Sequence, residues 1–215
     1  AAPTALFHSD GVQAFGKIKV DLRALGVDLY TLSAHKIHGP KGIGALYVAK
    51  GASVHPLVYG GGQEKGFRSG TENGPPVEAF AAAAERTAKT FDAINAKKRA
   101  YTLELKRALL ASGMDIAVIT DTEKSAPHIL TVAFGGVRGE VLLHALEKRG
   151  ILVGVGSACS SHRESRFKTL LGLDERHRDG IVRFSVSEFN EEGEVPVVAE
   201  ACAEEVKKLV EYARK

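Results

Sequence analysis

A polar, glycine-rich stretch from Ser33 to Gly42 lies between two short apolar runs and constrains the fold more than any other part of the chain. The runs, Val27–Leu32 and Ile43–Val48, have the length and composition of buried strands. Lys36 therefore lies between two predicted strands and not on a solvated helix face. A desolvated lysine favours its neutral amine, which can act as a nucleophile, so Lys36 is a candidate catalytic residue. The alternative is a solvated lysine in a turn, the usual environment for this residue type.

The composition narrows the class of protein. The chain has 215 residues, of which 44% are hydrophobic, and this suits one large domain or two small ones. A net charge of +3 gives no electrostatic reason to predict direct binding of nucleic acid or of an anionic membrane. No apolar run approaches the roughly 20 residues of a membrane span. Two cysteines do not make a disulfide framework, so we predict a cytoplasmic location, and the eight histidines lack metal-ligand spacing.

Four motifs occur in order along nearly the whole chain. They are His8-Ser9-Asp10-Gly11-Val12-Gln13, Ser33-Ala34-His35-Lys36, Arg68-Ser69-Gly70-Thr71 and Gly156-Ser157-Ala158-Cys159. In this order and spacing they resemble the class V aminotransferase superfamily and, within it, the NifS/IscS-like cysteine desulfurases, which depend on pyridoxal 5′-phosphate (PLP). The resemblance implies an α/β protein of the PLP-dependent transferase fold type I, present in part. The expected parts are the end of the large-domain mixed sheet and a smaller α+β C-terminal domain.

The resemblance also implies how the chain divides. Residues 1–90 correspond to the C-terminal part of the PLP-binding large domain, and residues 91–215 correspond to the small domain that carries the cysteine loop. In the family, the first motif is preceded by a glycine- and threonine-rich phosphate loop, a histidine that stacks on the cofactor ring and an asparagine near the ring oxygen. None of these is found here, so we expect the chain to be the C-terminal half of a longer enzyme.

Five residues match cofactor-binding positions of the family. Lys36 matches the lysine that carries PLP covalently. Asp10 matches the aspartate whose carboxylate pairs with the pyridine nitrogen, which lets the ring act as an electron sink. Gln13 matches the glutamine that hydrogen-bonds the ring oxygen, and Ser33 and His35 match donors to the phosphate. We also assign His35 to the catalytic residues. The alternative for Asp10 is a helix N-cap, which is compatible with the pyridine contact.

Four further residues match positions that serve the substrate, the sulfur or the partner subunit. Cys159 lies in a glycine- and serine-rich segment, unlike a core cysteine, and matches the cysteine that receives sulfur as a persulfide. Arg183 matches the arginine whose planar fork holds the substrate carboxylate, the alternative being a solvated or acid-paired strand arginine. Arg68 is assigned to the substrate site. Thr71 matches a threonine that reaches the phosphate of the partner subunit's cofactor, which implies a homodimer with shared active sites.

The hydrophobic pattern predicts the elements around these residues. We expect a helix opened by Pro75-Pro76 and running from about Val77 to Ala111, with a break between Phe91 and Ala96. The small domain is predicted to contain strands at 116–119, 129–134, 150–153 and 180–187, and helices at 139–149, 165–171 and 191–214. The last helix is expected to be amphipathic, with an inward face made of Val197, Val198, Ala201, Val206 and Leu209. Cys202, within that helix, is expected to be a buried and inert thiol.

By this resemblance the full enzyme converts L-cysteine to L-alanine and leaves a persulfide on Cys159. The sulfur is then passed to an acceptor, such as an iron–sulfur scaffold protein or a tRNA-thiolation protein. The alternative within the superfamily is a selenocysteine lyase or another class V enzyme that acts on a different amino acid. The alternative from another class is a catalytically inactive fragment that serves as a dimerisation or docking module.

Overall fold

The computed structural model describes residues 5–155 and 171–213. Contacts between residues divide the chain into two compact units, Ala1–Phe91 and Asp92–Lys215. The boundary falls within one long helix, which begins in the first unit and ends in the second.

The first unit is built on a mixed sheet of three strands. The strands are β1 (His8–Asp10), β2 (Leu29–Ser33) and β3 (Gly44–Val48), in the order β1-β2-β3. β1 is parallel to β2, with Asp10 opposite Thr31, and β3 is antiparallel to β2. Both predicted apolar runs are confirmed as strands with slightly shifted ends, and the mixed sheet agrees with the predicted α/β class.

The connection from β1 to β2 contains the short helix α1 (Leu22–Leu25), whose ends the sequence specifies. The side chain of Asp21 accepts hydrogen bonds from the backbone N–H groups of Arg23 and Ala24, which caps the first turn. Gly26 ends the helix with φ 63° and ψ 30°, a left-handed conformation that glycine adopts without strain. The chain can therefore reverse within a few residues and start β2.

The described part of the first unit has a small interior. Its buried hydrophobic side chains are Val27, Tyr30, Ala34 and Ile37. Gly11 lies so close to Tyr30 that a Cβ at position 11 would overlap the phenol ring. A glycine at this position is therefore required for the segment after β1 to cover Tyr30.

Helix α2 (Gly74–Ala111) runs without interruption for 38 residues. The predicted break between Phe91 and Ala96 is wrong. That segment contains neither glycine nor proline, so nothing in it removes a backbone hydrogen bond or clashes with the preceding turn. Pro75 and Pro76 lie in the first turn, where a missing N–H costs nothing, as predicted.

The second unit is an antiparallel sheet with helices packed against it. The strands are β4 (Ile116–Val118), β5 (Ile129–Phe134) and β6 (Ile181–Ser185), in the order β4-β5-β6. The helices are α3 (Gly139–Glu147), α4 (Glu175–Arg178) and α5 (Glu194–Ala213). This arrangement agrees with the predicted α+β class. The largest fully buried side chains are Phe134, Leu105, Leu109, Leu130, Leu142, Leu146, Val132, Val182 and Val195.

Some predicted elements of the second unit are wrong in extent or orientation. Segment 150–153 does not form a strand; only Gly154 pairs, in an isolated bridge with Arg183. Helix α5 begins at Glu194 and not at residue 191. Ala201 and Val206 are buried in it and Val198 and Leu209 pack against the core, as predicted, whereas Val197 is 58% exposed and that part of the prediction is wrong. The helix predicted at 165–171 lies almost entirely outside the described residues.

A hydrogen-bonded cluster fixes the turn after β6 and yields a testable expectation. The Tyr101 hydroxyl donates to Glu194 Oε2 at 3.1 Å, and the Asn190 amide donates to the same oxygen at 2.7 Å. The Asn190 contact, followed by the Tyr101 contact, lowers the pKa of Glu194 against the opposing effect of burial. The carboxylate therefore stabilises the fold above the ordinary glutamate pKa of 4.5, and this contribution is lost as the pH falls through the lower folded-state pKa.

Tyr101→Phe is expected to lower the free energy of unfolding by about 1 kcal/mol at neutral pH, because one hydrogen bond to a carboxylate is lost. The loss should shrink as the pH falls through the lowered folded-state pKa of Glu194, because the carboxyl group is then protonated in both states. Urea unfolding followed by circular dichroism at neutral pH and below this pKa measures both quantities. An equal loss at both pH values would show that the ring packing, and not the carboxylate contact, is what the substitution changes.

Candidate active site

Lys36 lies in a 3-10 turn, Ala34–Ile37, that follows β2 directly. With three residues per turn, Ala34 and Ile37 share one face, and both are buried. Lys36 is consequently turned outward and is exposed, so the expectation of a desolvated amine is wrong. His38 ends the turn in the left-handed conformation, and the backbone N–H groups of His38 and Gly39 both donate to the Ala34 carbonyl.

Two polar side chains precede Lys36 and contact each other. Ser33 is the last residue of β2, and its Oγ lies 2.7 Å from Nδ1 of His35. The Ser33 side chain does not cap the turn, so the hydroxyl is directed to the imidazole instead. The family resemblance implies that both residues donate to a phosphate group. The structure brings them together at the base of the Lys36 turn.

Asp10 is the last residue of β1, the strand parallel to β2. The carboxyl ends of parallel neighbours meet at the same edge of a sheet, so Asp10 and the Lys36 turn lie at the same edge. Asp10 Oδ1 accepts a hydrogen bond of 2.9 Å from the Val12 N–H, which forms an Asx turn at the end of β1. Turns and not a helix follow, so the helix N-cap considered from the sequence is not found. Burial raises the pKa of Tyr30, and the charge of Asp10 raises it further, so the phenol beneath this edge stays protonated at neutral pH.

Gln13 lies in the series of turns that follows Asp10. The backbone N–H groups of Ala14 and Phe15 donate to the Gly11 carbonyl at 3.0 and 2.8 Å. The Phe15 ring packs edge-to-face on Phe80 of α2, with ring centroids 6.4 Å apart, and this holds the segment on the helix. Gln13 itself is exposed beside Asp10 in the sequence motif.

Arg68 and Thr71 lie in the loop between β3 and α2, and the Arg68 side chain contacts the backbone of this same loop. The Arg68 guanidinium donates to the backbone carbonyls of Gly70 at 2.8 Å and Thr71 at 3.3 Å. Gly70 has φ 103°, a conformation that allows these carbonyls to converge on one cation. The structure thus shows Arg68 closing its own loop, a role that the sequence interpretation missed.

Arg183 lies on β6 between the buried residues Val182 and Phe184, so strand alternation turns it to the more open face of the sheet. Its backbone exchanges two hydrogen bonds with Gly154, at 2.7 and 2.9 Å. The guanidinium lies over Gly154, where a Cβ would be 2.8 Å from Nη2. The strand that carries Arg183 is thereby tied to the start of the segment that continues in sequence to Cys159.

Only one of the two cysteines, Cys202, lies within the described residues. Cys159 lies outside the described residues. Cys202 is a free, fully buried thiol, and burial raises its pKa to about 12, while the nearby Arg149 has a smaller opposing effect. The predicted burial of Cys202 is confirmed, and the raised pKa favours the protonated thiol at neutral pH.

Two side-chain contacts in the first unit were not predicted. His8 Nε2 lies 2.7 Å from Thr31 Oγ1, and Lys17 Nζ donates to the Lys36 carbonyl at 2.9 Å. The partners are 23 and 19 residues apart in the chain, and neither contact has a periodic signal. The sequence clue was that His8 is the first residue of the Asp10 motif and that Lys17 follows this motif closely.

Within residues 5–155 and 171–213, no group of three or more His, Cys, Asp or Glu side chains is arranged to hold a metal ion. None of the helices described is both long enough and apolar enough to cross a membrane.

The fold matches a known class. A solved structure of a NifS-like protein superposes with a TM-score of 0.83 at 35% sequence identity, covering 95% of this chain and 53% of that one. The two units therefore represent part of the fold of NifS-like, PLP-dependent transferases. The sequence profile of the aminotransferase class-V family matches residues 2–198. The chain belongs to this family, whose members are generally PLP-dependent.

Among curated proteins, the chain is similar to cysteine desulfurases. A cysteine desulfurase of Sinorhizobium fredii is 40% identical over 209 residues, covering 96% of this chain and 54% of the relative. A cysteine desulfurase of Gluconacetobacter diazotrophicus is also 40% identical, covering 97% of this chain and 53% of the relative. The chain spans about half the length of the curated relatives it matches.

Proposed function

We propose that this chain supplies the PLP-binding lysine, the sulfur-accepting cysteine and the substrate-binding arginine of a cysteine desulfurase. The observation that carries the proposal is the position of four polar residues at the carboxyl ends of the parallel strands β1 and β2. Their functional groups are the carboxylate of Asp10, the hydroxyl of Ser33, the imidazole of His35 and the amine of Lys36. The 40% identity to cysteine desulfurases over nearly the whole chain supports the reaction class.

The donor set of the first unit fits PLP by its chemistry. The Asp10 carboxylate suits a protonated pyridine nitrogen, and the Lys36 amine suits the aldehyde carbon. The hydroxyl of Ser33 and the ring nitrogens of His35 are donors suited to a phosphate dianion. Gln13 is assigned to the ring oxygen. The outward direction of Lys36 leaves its amine accessible to a ligand at this edge.

When bound, PLP supplies an electron sink for charge that develops on the substrate α-carbon. Asp10 holds the proton on the pyridine nitrogen, and Lys36 acts as the general base that moves the α-proton. Arg183 holds the substrate carboxylate with two parallel hydrogen bonds, which fixes the direction of the substrate sulfur. The Cys159 thiolate attacks that sulfur. A sulfur–sulfur bond forms as the carbon–sulfur bond breaks, and the carbon skeleton leaves as L-alanine after protonation.

A homodimer with shared active sites is part of the proposal, with Thr71 assigned to the partner subunit's cofactor. The loop before Thr71 carries large apolar side chains in solvent: Leu57 is 97% exposed and Tyr59 is 76% exposed, and Phe67 is also exposed. Exposed apolar side chains grouped on one loop are typical of an association surface. Sedimentation equilibrium measures this association. A chain that dimerises without forming a persulfide would support the second candidate, a non-catalytic dimerisation or docking module.

The proposal also includes a sulfur acceptor, such as an iron–sulfur scaffold or tRNA-thiolation protein, because a persulfide must be discharged before the next turnover. The cytoplasmic location stays a prediction.

Cys159→Ser is expected to abolish persulfide formation and to leave PLP binding unchanged. A serine hydroxyl is a poor nucleophile toward sulfur, whereas the cofactor donors of the first unit are untouched. The chain is incubated with PLP and L-cysteine, and the Cys159 peptide is analysed by mass spectrometry for an added sulfur atom. Cys202→Ala is the matched control, because its buried thiol has no assigned role. Unchanged sulfur release from Cys159→Ser would show that another group accepts the sulfur.

A further inference from the structure

We propose that Lys17 is a positioning residue that fixes the Lys36 turn relative to the segment carrying Asp10 and Gln13. Its Nζ donates to the backbone carbonyl of Lys36 at 2.9 Å. The inference rests on the proposed function and adds to it a residue outside the four sequence motifs.

Gly16, the residue before Lys17, allows the backbone to approach the Lys36 turn. Gly16 has φ 72°, and a Cβ there would lie 2.9 Å from Cγ2 of Ile37 and 2.7 Å from Cγ2 of Thr87. The missing side chain lets the segment approach the buried side of the Lys36 turn closely. The Lys17 N–H donates to the Ala14 carbonyl at 3.0 Å, so the start of its side chain is fixed by the same series of turns.

A cation suits the Lys36 carbonyl for a physical reason. The last carbonyls of a short helical turn lack partners within the turn, and they carry the negative end of its dipole. The two N–H groups that follow the turn, those of His38 and Gly39, both donate to Ala34. They do not serve Lys36, whose carbonyl accepts the Lys17 ammonium instead. A lysine at this end of a turn is both a hydrogen-bond donor and a favourable charge.

The consequence for the site follows from the shape of PLP. One cofactor must meet the Asp10 carboxylate at its ring nitrogen and the Lys36 amine at its aldehyde carbon, so the spacing of these two groups has to be fixed. Lys17 ends the series of turns that begins directly after Asp10, and Lys36 lies on the other side of the contact. The Lys17 side chain therefore couples the two segments that one ligand has to bridge.

The experiment compares the 215-residue chain with Lys17→Met, Lys17→Arg and Lys50→Met. Lys50 is an exposed lysine after β3, so Lys50→Met matches the loss of one positive charge. The first measurement is amide hydrogen exchange of His38 and Gly39 without cofactor. The second is the PLP concentration that gives half-maximal borohydride-trapped labelling of Lys36. In Lys17→Met we expect about threefold to tenfold faster exchange and a similar rise in the half-labelling concentration, as fits one exposed charged contact.

Lys17→Arg should restore both quantities, because arginine keeps the charge and the donors, and Lys50→Met should change neither. If Lys17 served only the stability of the fold, PLP labelling of Lys36 would not depend on keeping a positive charge at position 17. Unchanged exchange in Lys17→Met would overturn the inference. If Lys17→Met exchanged faster but needed the same PLP concentration for half-maximal labelling, Lys17 would hold the turn without positioning Lys36 for the cofactor. If the unsubstituted chain is not labelled at Lys36 at any PLP concentration, the proposed function fails, while the exchange comparison still decides whether Lys17 holds the turn.

Discussion

Lys36→Ala is expected to reduce covalent capture of PLP by the chain to background. Lys36 lies in the turn directly after β2, with Ser33 and His35 before it and Asp10 at the end of the parallel neighbour β1, so its amine is beside groups suited to PLP. The chain is incubated with PLP, treated with borohydride and mapped by peptide mass spectrometry. The absorbance of the PLP–lysine linkage before reduction gives an independent readout.

Lys41→Ala is the matched control for this variant, because Lys41 is an exposed lysine in the same turn region. It should retain full labelling of Lys36. Adventitious PLP spreads over many exposed lysines, while a built site concentrates the label on one. Equal labelling of several lysines in the unsubstituted chain, unchanged in Lys36→Ala, would contradict the cofactor assignment.

Gly180→Ala is expected to lower the free energy of unfolding of the second unit by about 3 kcal/mol or more. A Cβ at position 180 would overlap the backbone carbonyl oxygen of Phe134 and lie 2.8 Å from its carbonyl carbon. A backbone group cannot rotate away as a side chain can. The same two residues are also joined by a hydrogen bond from the Phe134 N–H to the Gly180 carbonyl at 2.9 Å. The substitution therefore separates β5 from the turn before β6.

Gly193→Ala is the control, since a Cβ at position 193 would meet no atom within 4 Å. Urea unfolding monitored by circular dichroism gives the two midpoints. The unfolding midpoint of Gly193→Ala should lie close to that of the unsubstituted chain. A Gly180→Ala midpoint equal to that of Gly193→Ala would mean that the backbone around Phe134 can move to admit a methyl group.

The carboxyl edge of the first unit could be predicted because its signals are local. The run Val27–Leu32 specifies a strand, and Ser33, His35 and Lys36 follow within a few residues, so their proximity is ensured by the chain itself. Asp10 required one further step, the parallel pairing of β1 with β2, which places two strand ends at one edge.

The contacts that were missed depend on the three-dimensional arrangement. The exposure of Lys36 follows from the 3-10 geometry of its turn, which an apolar-run pattern does not encode. The contact between Lys17 and Lys36 joins residues 19 positions apart, and Arg68 turns back on carbonyls of its own loop. In both contacts a side chain meets a backbone carbonyl, and carbonyls are present at every position, so residue identity gives no indication of the partner.

The unbroken course of α2 shows how weakly single-residue helix propensity predicts a helix break. Asp92 and Asn95 are polar residues with modest helix propensity, yet the helix passes through them unbroken. Propensity differences of a few tenths of a kcal/mol per residue are readily outweighed by the surrounding helical turns and by packing.

The small interior of the first unit links cofactor supply to folding. Its buried hydrophobic side chains among the described residues are Val27, Tyr30, Ala34 and Ile37, and the last two belong to the Lys36 turn. A ligand that binds only the folded form adds RT ln(1 + [L]/Kd) to stability, which is about 2.7 kcal/mol at a hundredfold excess over Kd. Under the proposed function, occupancy by PLP and folding of this unit form one coupled equilibrium. The availability of vitamin-derived cofactor in the cell would then control the abundance of the folded chain as well as its catalysis.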